Sequence, residues 1–190
     1  MGWTNHRLQA LSRQTRRFAR GRSGATAVEF AMIALPFFAL LLGIFEVGMI
    51  FLISTTLEDA TNAAARQIRT GALQTGGTTE TAQLFANQIC AGRMSWLGLQ
   101  CAANLEVDVR TFSQFQSVSL PSPITNGSLQ PQSQLLFQMG GPGDIVLVRT
   151  YYPWKLIAPL LDGMTAQTGG GQTLISATAT FRNEPYPSTP

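Results

Sequence analysis

Residues 24–52, GATAVEFAMIALPFFALLLGIFEVGMIFL, are the longest apolar run in this 190-residue chain, and the predicted architecture follows from them. From Phe30 to Leu52 the run contains one charged residue, Glu46, and as a helix it is long enough to cross a hydrocarbon core of about 30 Å. Its apolar side chains favour insertion by about 4–8 kcal/mol, more than the roughly 2.5–3.5 kcal/mol that one ionised residue costs at mid-bilayer. The sequence therefore predicts one transmembrane helix. The alternative is a cleaved secretory signal, whose apolar region would be shorter, about 7–15 residues.

Positive charge is concentrated on one side of this run. The chain has 13 Lys and Arg against 10 Asp and Glu, and the first 24 residues hold six of the arginines and no acid. A basic flank beside a lone span keeps that side in the cytoplasm, so the rest of the chain is predicted to lie outside. The pI of 9.3 then reflects a topology signal that touches anionic lipid rather than nucleic acid. The arginines that carry this signal are Arg13, Arg16, Arg17, Arg20 and Arg22.

Three parts of the chain are predicted from these patterns: a basic cytoplasmic leader at residues 1–24, a transmembrane helix that extends outward at 25–71, and an exterior head domain at 72–190. Beyond the membrane, apolar residues recur at spacings of three and four, which predicts that the helix continues and buries one face. Gly71 supplies a plausible stop. The predicted buried stripe is Leu57, Ala60, Ala64 and Ile68.

The head is predicted to be a small α+β domain with a three-stranded, antiparallel sheet and a short helix. The short helix should end near Cys90, with Leu84, Phe85 and Ile89 facing inward. The strands are expected at residues 105–112, 144–154 and 172–182. Residues 117–142 are rich in Ser, Gln, Pro and Gly, and they predict a loop with at most a helical turn near 135–138.

The first of these strands alternates apolar and polar residues, which predicts that one of its faces is buried and the other solvated. Glu106, Asp108 and Arg110 lie on the face expected to be solvated. Paired acids of this kind are therefore expected to be surface residues rather than a catalytic pair.

Cys90 and Cys101 lie eleven residues apart in the part predicted to be exported. In an oxidising compartment a close, even pair favours a disulfide, worth about 2–3 kcal/mol in the entropic description. Two buried free thiols are the alternative. The only histidine, His6, lies in the leader, so the exterior part has no histidine for a catalytic triad or a zinc site. We expect neither an enzyme nor a metal or other cofactor.

Four groups of residues along the chain resemble the TadE-like family in their order and spacing. They are Ser23-Gly24-Ala25-Thr26-Ala27-Val28-Glu29-Phe30, Leu35-Pro36, Phe45-Glu46-Val47-Gly48, and Ala60 with Ala63-Ala64-Ala65-Arg66. Weaker similarity extends through the cysteine pair, residues 107–112, Tyr151-Tyr152-Pro153-Trp154 and Arg182-Asn183-Glu184-Pro185. TadE-like proteins are pseudopilins or pseudopilin-like minor components of bacterial tight-adherence (Tad, or Flp) pili.

The resemblance implies a prepilin-type processing site. Gly24 would precede the cut, Ala25 would become the mature amino terminus, and Glu29 and Phe30 would be the fifth and sixth mature residues. Phe30 occupies a position that is often Tyr in major Flp pilins, and the head is too large for a major subunit, so the resemblance implies a minor component.

The two glutamates of the apolar run each have more than one interpretation. Glu29 in the first helical turn is favoured by the helix dipole, and after cleavage it would pair with the new α-amino group of a neighbouring subunit. Alternatively, it only helps to start the helix. Glu46 within the span is by default a functional residue that meets a polar partner in another membrane helix. The alternatives are a protonated, idle side chain or one near enough to the outer interface to reach water.

The function that the resemblance implies is a membrane-anchored component needed for pilus assembly, adhesion or associated secretion. Its expected partners are other pilins and pseudopilins, Tad assembly membrane proteins, a prepilin peptidase and the lipid bilayer. The expected location is the bacterial inner membrane, with a periplasmic C-terminal domain or with incorporation into a surface pilus. The alternative is an uncleaved, single-pass anchored periplasmic binding module.

Overall fold

The structure is a computed structural model that describes residues 22–75, 81–98, 100–115, 121–157, 163 and 166–186. The chain divides into two compact units, an N-terminal unit at Met1–Phe45 and a C-terminal unit at Glu46–Pro190. Most of the predicted leader lies outside the described residues.

Helix α1 runs from Arg22 to Arg69 and therefore begins a few residues before the predicted start. It contains Pro36, whose missing N–H removes one hydrogen bond, a loss that membrane helices tolerate. Gly71 ends the helix as predicted: its φ of 77° is a left-handed conformation, and its N–H donates to the Ile68 carbonyl. The long continuous helix predicted from hydropathy and spacing is thus confirmed.

Short helices follow: α2 at Ala72–Thr75, α3 at Ala82–Ala91 and α4 at Gln100–Asn104, with a 3₁₀ turn at Ser95–Leu97. The side chain of Thr81 accepts a hydrogen bond from the Leu84 N–H at 3.3 Å and so caps α3.

A three-stranded antiparallel sheet confirms the predicted α+β class. Its strands are β1 at Glu106–Phe112, β4 at Ile145–Lys155 and β5 at Gln172–Arg182, in the spatial order β1-β4-β5. The connection after β1 holds a two-stranded ribbon, β2 at Ile124–Thr125 and β3 at Ser128–Leu129.

The core of the C-terminal unit lies between the outer part of α1 and one face of the sheet. All four residues of the predicted α1 stripe are buried and pack in one cluster with valines and alanines of the strands and with Phe85 and Ile89 of α3. Thr61 and Thr150 share a buried hydrogen bond of 2.7 Å between their hydroxyl oxygens. Because the α1 stripe is rich in alanine, helix and sheet approach closely enough for two short side chains to meet.

Two local predictions are wrong. Leu84 is 46% exposed, whereas Ala86 and Cys90 share the buried face of α3 with Phe85 and Ile89. The helical turn expected at 135–138 is instead a 3₁₀ turn at Gln132–Gln134. Residues 135–138 are held beside β1, because Val109 donates to the Leu136 carbonyl and accepts from the Gln138 N–H.

The strand predicted to have one solvated face is buried on both sides at its centre. Asp108 has no exposed surface, and its carboxylate contacts Arg149 of β4 and the Leu136 N–H of the segment beside β1. The expectation that Asp108 belongs to a solvated face is therefore wrong. An alternating pattern identifies a strand, but it does not show what later segments cover.

Candidate functional site

Glu46 opens the C-terminal unit and is 1% exposed. Its Oε1 accepts a hydrogen bond from Nε1 of Trp154 at 2.9 Å, and its Oε2 accepts one from the backbone N–H of Ile157 at 2.7 Å. Both oxygens thus accept from N–H groups, as suits a carboxylate, which has acceptors only. We call this arrangement the Glu46 clamp. It joins two segments that lie more than a hundred residues apart along the chain.

Strand β4 brings the two donors of the clamp to α1. Pro153 lies within this central strand, where its missing N–H would ordinarily break a ladder. It is tolerated because β1 begins at Glu106, opposite Tyr151, so Pro153 pairs only with Leu174 of β5. The strand β4 therefore extends beyond the first residue of β1 and carries Trp154 to Glu46.

These two partners of Glu46 lie in its own chain, whereas one interpretation of the sequence sought a partner in another membrane helix. The signal present in the sequence was the apolar Trp154-Lys155-Leu156-Ile157 segment, which follows a strand and carries an indole N–H. Hydropathy alone does not show that this segment returns to the helix, since the pairing depends on the tertiary fold. The intramembrane location of Glu46 stays a prediction.

The predicted processing residues lie in the N-terminal unit. Gly24, Ala25, Glu29 and Phe30 are all on α1 and exposed, with Phe30 72% exposed. Open space surrounds Gly24, since a Cβ added there would meet no atom within 4 Å. Of the predicted topology arginines, Arg22 is the first residue of α1. The others, Arg13, Arg16, Arg17 and Arg20, lie outside the described residues.

The chain's C-terminal segment closes the outer end of α1. The Glu184 N–H donates to the Arg69 carbonyl at 2.8 Å, and the two side chains form an ion pair at 3.1 Å. The ring of Tyr186 lies over Gly71, where an added Cβ would meet a ring carbon at 2.3 Å. Asn183 donates to the carbonyls of Met139 and Gly141. Glu184 thus satisfies the Arg69 carbonyl, one of the groups that a helix end leaves without an intrahelical partner.

Asp108 anchors a buried ion-pair cluster on the second face of the sheet. Its carboxylate pairs with Arg149 and Arg110 and accepts from the Leu136 N–H at 3.2 Å. Arg149, 5% exposed, also lies 5.6 Å from the ring centroid of Tyr151. Burial raises the pKa of Tyr151, although the charge of Arg149 acts in the opposite direction. The contact with the Leu136 N–H links the segment beside β1 to this cluster.

A cleft of about 680 Å³ opens beside Glu106, at the first residue of β1. Burial raises the pKa of Glu106, and a backbone hydrogen bond from Gln132 lowers it to a smaller extent. The Glu106 Oε2 atom has no hydrogen-bond partner among the described residues. The other polar and backbone groups around the cleft come from Asn104, Asn126, Gly127, Thr168, Gly169 and Gln172.

The sulfur atoms of Cys90 and Cys101 lie at disulfide-bonding distance. The pair joins the end of α3 to α4 and is largely buried, with the exposed Trp96 in the loop between them. The cysteine pair predicted from the sequence is therefore supported by the fold.

The fold and the Glu46 clamp together define a class of protein with one long apolar N-terminal helix, whose residues from Glu46 onward form part of a small α+β domain. One helix of the described residues, Gly24–Arg69, is long and apolar enough to cross a membrane, and an 18-residue window within it has a mean hydropathy of 2.4. An apolar helix near the amino terminus suggests a single-pass membrane anchor.

Residues 24–66 match the family described as TadE-like protein, which confirms the resemblance over this part of the chain. The match begins at Gly24 and ends near the end of α1, so it includes Glu29 and Glu46. No curated protein matches the chain. No solved structure matches it either. The TadE-like family suggests a component associated with Tad pili.

Proposed function

We propose that this chain is a minor, pseudopilin-like component of a Tad/Flp-type pilus, anchored in the bacterial inner membrane. Its N-terminus is cytoplasmic, its C-terminal domain is periplasmic, and a prepilin peptidase cuts between Gly24 and Ala25. Its function is in pilus assembly, adhesion or associated secretion, through other pilins, pseudopilins and Tad membrane proteins. It acts as a structural protein rather than as an enzyme.

The observation that carries this proposal is the uncovered apolar surface of α1 in the N-terminal unit. Phe30, Met32, Ile33 and Leu35 are each more than 70% exposed. A helix that is apolar on all sides requires lipid or other helices around it. The same surface therefore serves in a bilayer before assembly and against neighbouring helices after it.

Glu29 is the exception on this surface. It is exposed in the single chain, and it lies one helical turn after Ala25. In hydrocarbon an acid without a partner is expensive, and a new α-amino group on a neighbouring subunit is a charge of the opposite sign. Cleavage at Gly24 would create that group at the level of Glu29 in an adjacent helix, which supports a role in assembly.

The experiment is to determine the amino terminus of the protein from its native host by mass spectrometry. The proposal requires a mature chain that begins at Ala25. A Glu29→Ala variant should lose piliation, whereas Glu58→Ala, an exposed acid farther along the same helix, should retain it. An intact leader, or normal piliation by the Glu29 variant, would refute the assembly role.

The Glu106 cleft favours a second candidate, an uncleaved anchored binding module. A partly buried carboxylate oxygen without a described partner, beside three side-chain amides, is suited to a small polar ligand. This candidate requires the leader to remain attached and a Glu106→Gln variant to lose ligand binding. The same mass-spectrometric measurement therefore separates the two functions.

A further inference from the structure

The Glu46 clamp binds the end of β4 at the point of α1 where its largely exposed, apolar residues 24–45 end. Residues 24–45 form a helix of about 33 Å at 1.5 Å per residue, close to the thickness of about 30 Å of a hydrocarbon core. The next residue, Glu46, is already buried in the C-terminal unit by Trp154 and Ile157. The apolar length available to the membrane is thus complete where the C-terminal unit begins.

Several exposed apolar side chains lie near the Glu46 clamp. Val47, Phe51 and Leu52 on α1 and Ile157 after β4 are 46–70% exposed. These side chains lie within two helical turns of Glu46 or in the segment bound to it. We call them, together with Trp154 and Lys155, the basal surface. A contiguous apolar patch on a folded domain, unlike a single exposed apolar side chain, generally marks a site of interaction.

The chemistry of the basal surface fits a lipid headgroup region. Tryptophan is enriched at membrane interfaces, since its ring is apolar and its N–H is polar. Trp154 is partly buried, and Lys155 next to it is exposed, so its ammonium group is available to phosphates. The interfacial layers add about 10–15 Å to the hydrocarbon thickness in total, or about 5–7.5 Å on one side, which corresponds to roughly the first three to five residues of the helix from Glu46 onward.

We propose that the basal surface lies in the outer headgroup layer of the membrane, so that the clamp sits at the lipid–water boundary and the C-terminal unit rests on the bilayer. The partner is phospholipid, and the segment at the end of β4 is a second membrane contact besides α1. This inference rests on the proposed membrane anchor. It assigns Glu46 a position at the outer interface, bonded within its own chain.

The chain supplies its own matched probes for a test by tryptophan fluorescence. It has three tryptophans, Trp3, Trp96 and Trp154. Trp96 is 45% exposed and lies three residues from Arg93, whose guanidinium pairs with Asp59 at 3.0 Å. Asp59 is about 20 Å farther along α1 than Glu46 at 1.5 Å per residue, so Trp96 is a control at a distance from the bilayer.

The full chain is reconstituted in vesicles of phosphatidylcholine and phosphatidylglycerol that carry a nitroxide either near the glycerol backbone or near the end of an acyl chain. A Trp3→Phe/Trp96→Phe variant reports on Trp154, and a Trp3→Phe/Trp154→Phe variant reports on Trp96. We expect the shallow nitroxide to quench Trp154 at least about twofold more than it quenches Trp96, as for an indole in the headgroup layer. It should also quench Trp154 more than the deep nitroxide does.

A third variant separates this inference from the anchor on which it rests. Phe37→Trp, with the three native tryptophans replaced by Phe, places the probe on the uncovered helix, where Phe37 is 57% exposed. If the deep nitroxide quenches this variant while Trp154 responds no more than Trp96, the anchor stands and the basal contact is refuted. If neither position is quenched, the membrane anchor fails as well. Stronger quenching of Trp154 by the deep nitroxide would also overturn the proposal, because it would place the clamp inside the hydrocarbon.

Discussion

Replacing Glu46 with Gln and Trp154 with Phe, singly and together, tests the Glu46 clamp as an energetic unit. In the clamp, each carboxylate oxygen accepts from one N–H, at 2.9 Å from Trp154 and at 2.7 Å from Ile157. Glutamine has one carbonyl oxygen and one amino group in place of the two oxygens. Whichever way the Gln side chain turns, one of the two donors faces an amino group.

The magnitude follows from the bond that each variant loses. A hydrogen bond to a charged group is worth about 1.5–3 kcal/mol, and a buried donor that loses its partner adds its own desolvation penalty. We therefore expect E46Q to lower the free energy of unfolding by about 2–3 kcal/mol. W154F removes the donor to Oε1 and some ring polarity but keeps the Ile157 bond, so about 1.5–2 kcal/mol is expected.

The double variant is decisive, because the two changes should not add. In the W154F background, the Gln carbonyl can turn toward the Ile157 N–H, and the amino group then faces no competing donor. The second substitution should consequently cost little, with a coupling of about 1–2 kcal/mol between the two positions, within the usual range for residues in contact.

The assay is equilibrium unfolding of the full chain in detergent micelles, followed by far-ultraviolet circular dichroism and extrapolated linearly to zero denaturant. Trp96→Phe is the matched control, since it makes the same exchange at a position that is 45% exposed, and it should change the free energy of unfolding by less than about 0.5 kcal/mol. Losses of the two single variants that add to within about 0.5 kcal/mol in the double variant would refute the coupling.

Three further predictions concern the rest of the C-terminal unit. Gly71→Ala should destabilise the fold by more than the roughly 1–2 kcal/mol of a left-handed alanine, because its Cβ would meet an aromatic ring. Gly127→Ala is the control, since Gly127 has a φ of 74° and open space around it, and equal losses in thermal melts would contradict the clash. Asp108→Asn should lower the free energy of unfolding by about 3–5 kcal/mol in chemical denaturation, because it leaves buried arginine charge uncompensated. Asp59→Asn, in an exposed ion pair, should lower it by less than about 1 kcal/mol, and similar values for the two variants would show that burial is irrelevant here. Burial raises the pKa of Glu106 above its ordinary 4.5, so ionisation of this group destabilises the native state as the pH rises through the raised value. E106Q should therefore melt at a higher temperature than the parent at neutral pH and lose that advantage below pH 4.5. A stabilisation by E106Q that grows on acidification would contradict this prediction.

Local patterns in the sequence were sufficient for the principal elements. The hydropathy of residues 24–52 and the spacing of small apolar residues after it predicted one continuous helix, and α1 confirms it. Alternation and flanking turn residues predicted three strands, of which β5 has the expected bounds. These features depend on residues close together in the chain, so one sequence is enough to reveal them.

The predictions that failed all depended on what distant segments cover. Asp108 was expected at the surface because its neighbours alternate, yet it is fully buried and its carboxylate contacts Arg149 and the Leu136 N–H, both distant in sequence. Leu84 was expected inside α3 because it is apolar, but Ala86 and Cys90 lie on the face that meets the core. In both cases the polarity of the side chain is evident from the sequence, whereas the residues that surround it are not.

The features of the candidate site likewise fall into those that the sequence predicts and those that only the tertiary structure shows. The amino-acid sequence was enough to specify an apolar helix with basic residues before it, an acid within it and a family resemblance from Gly24 onward, since each is a property of contiguous residues. Only the tertiary structure supplied the bonds from Trp154 and Ile157 to Glu46 and the closure of α1 by the C-terminal segment. Such contacts join residues about a hundred positions apart, and their geometry exists only after the sheet has packed against the helix.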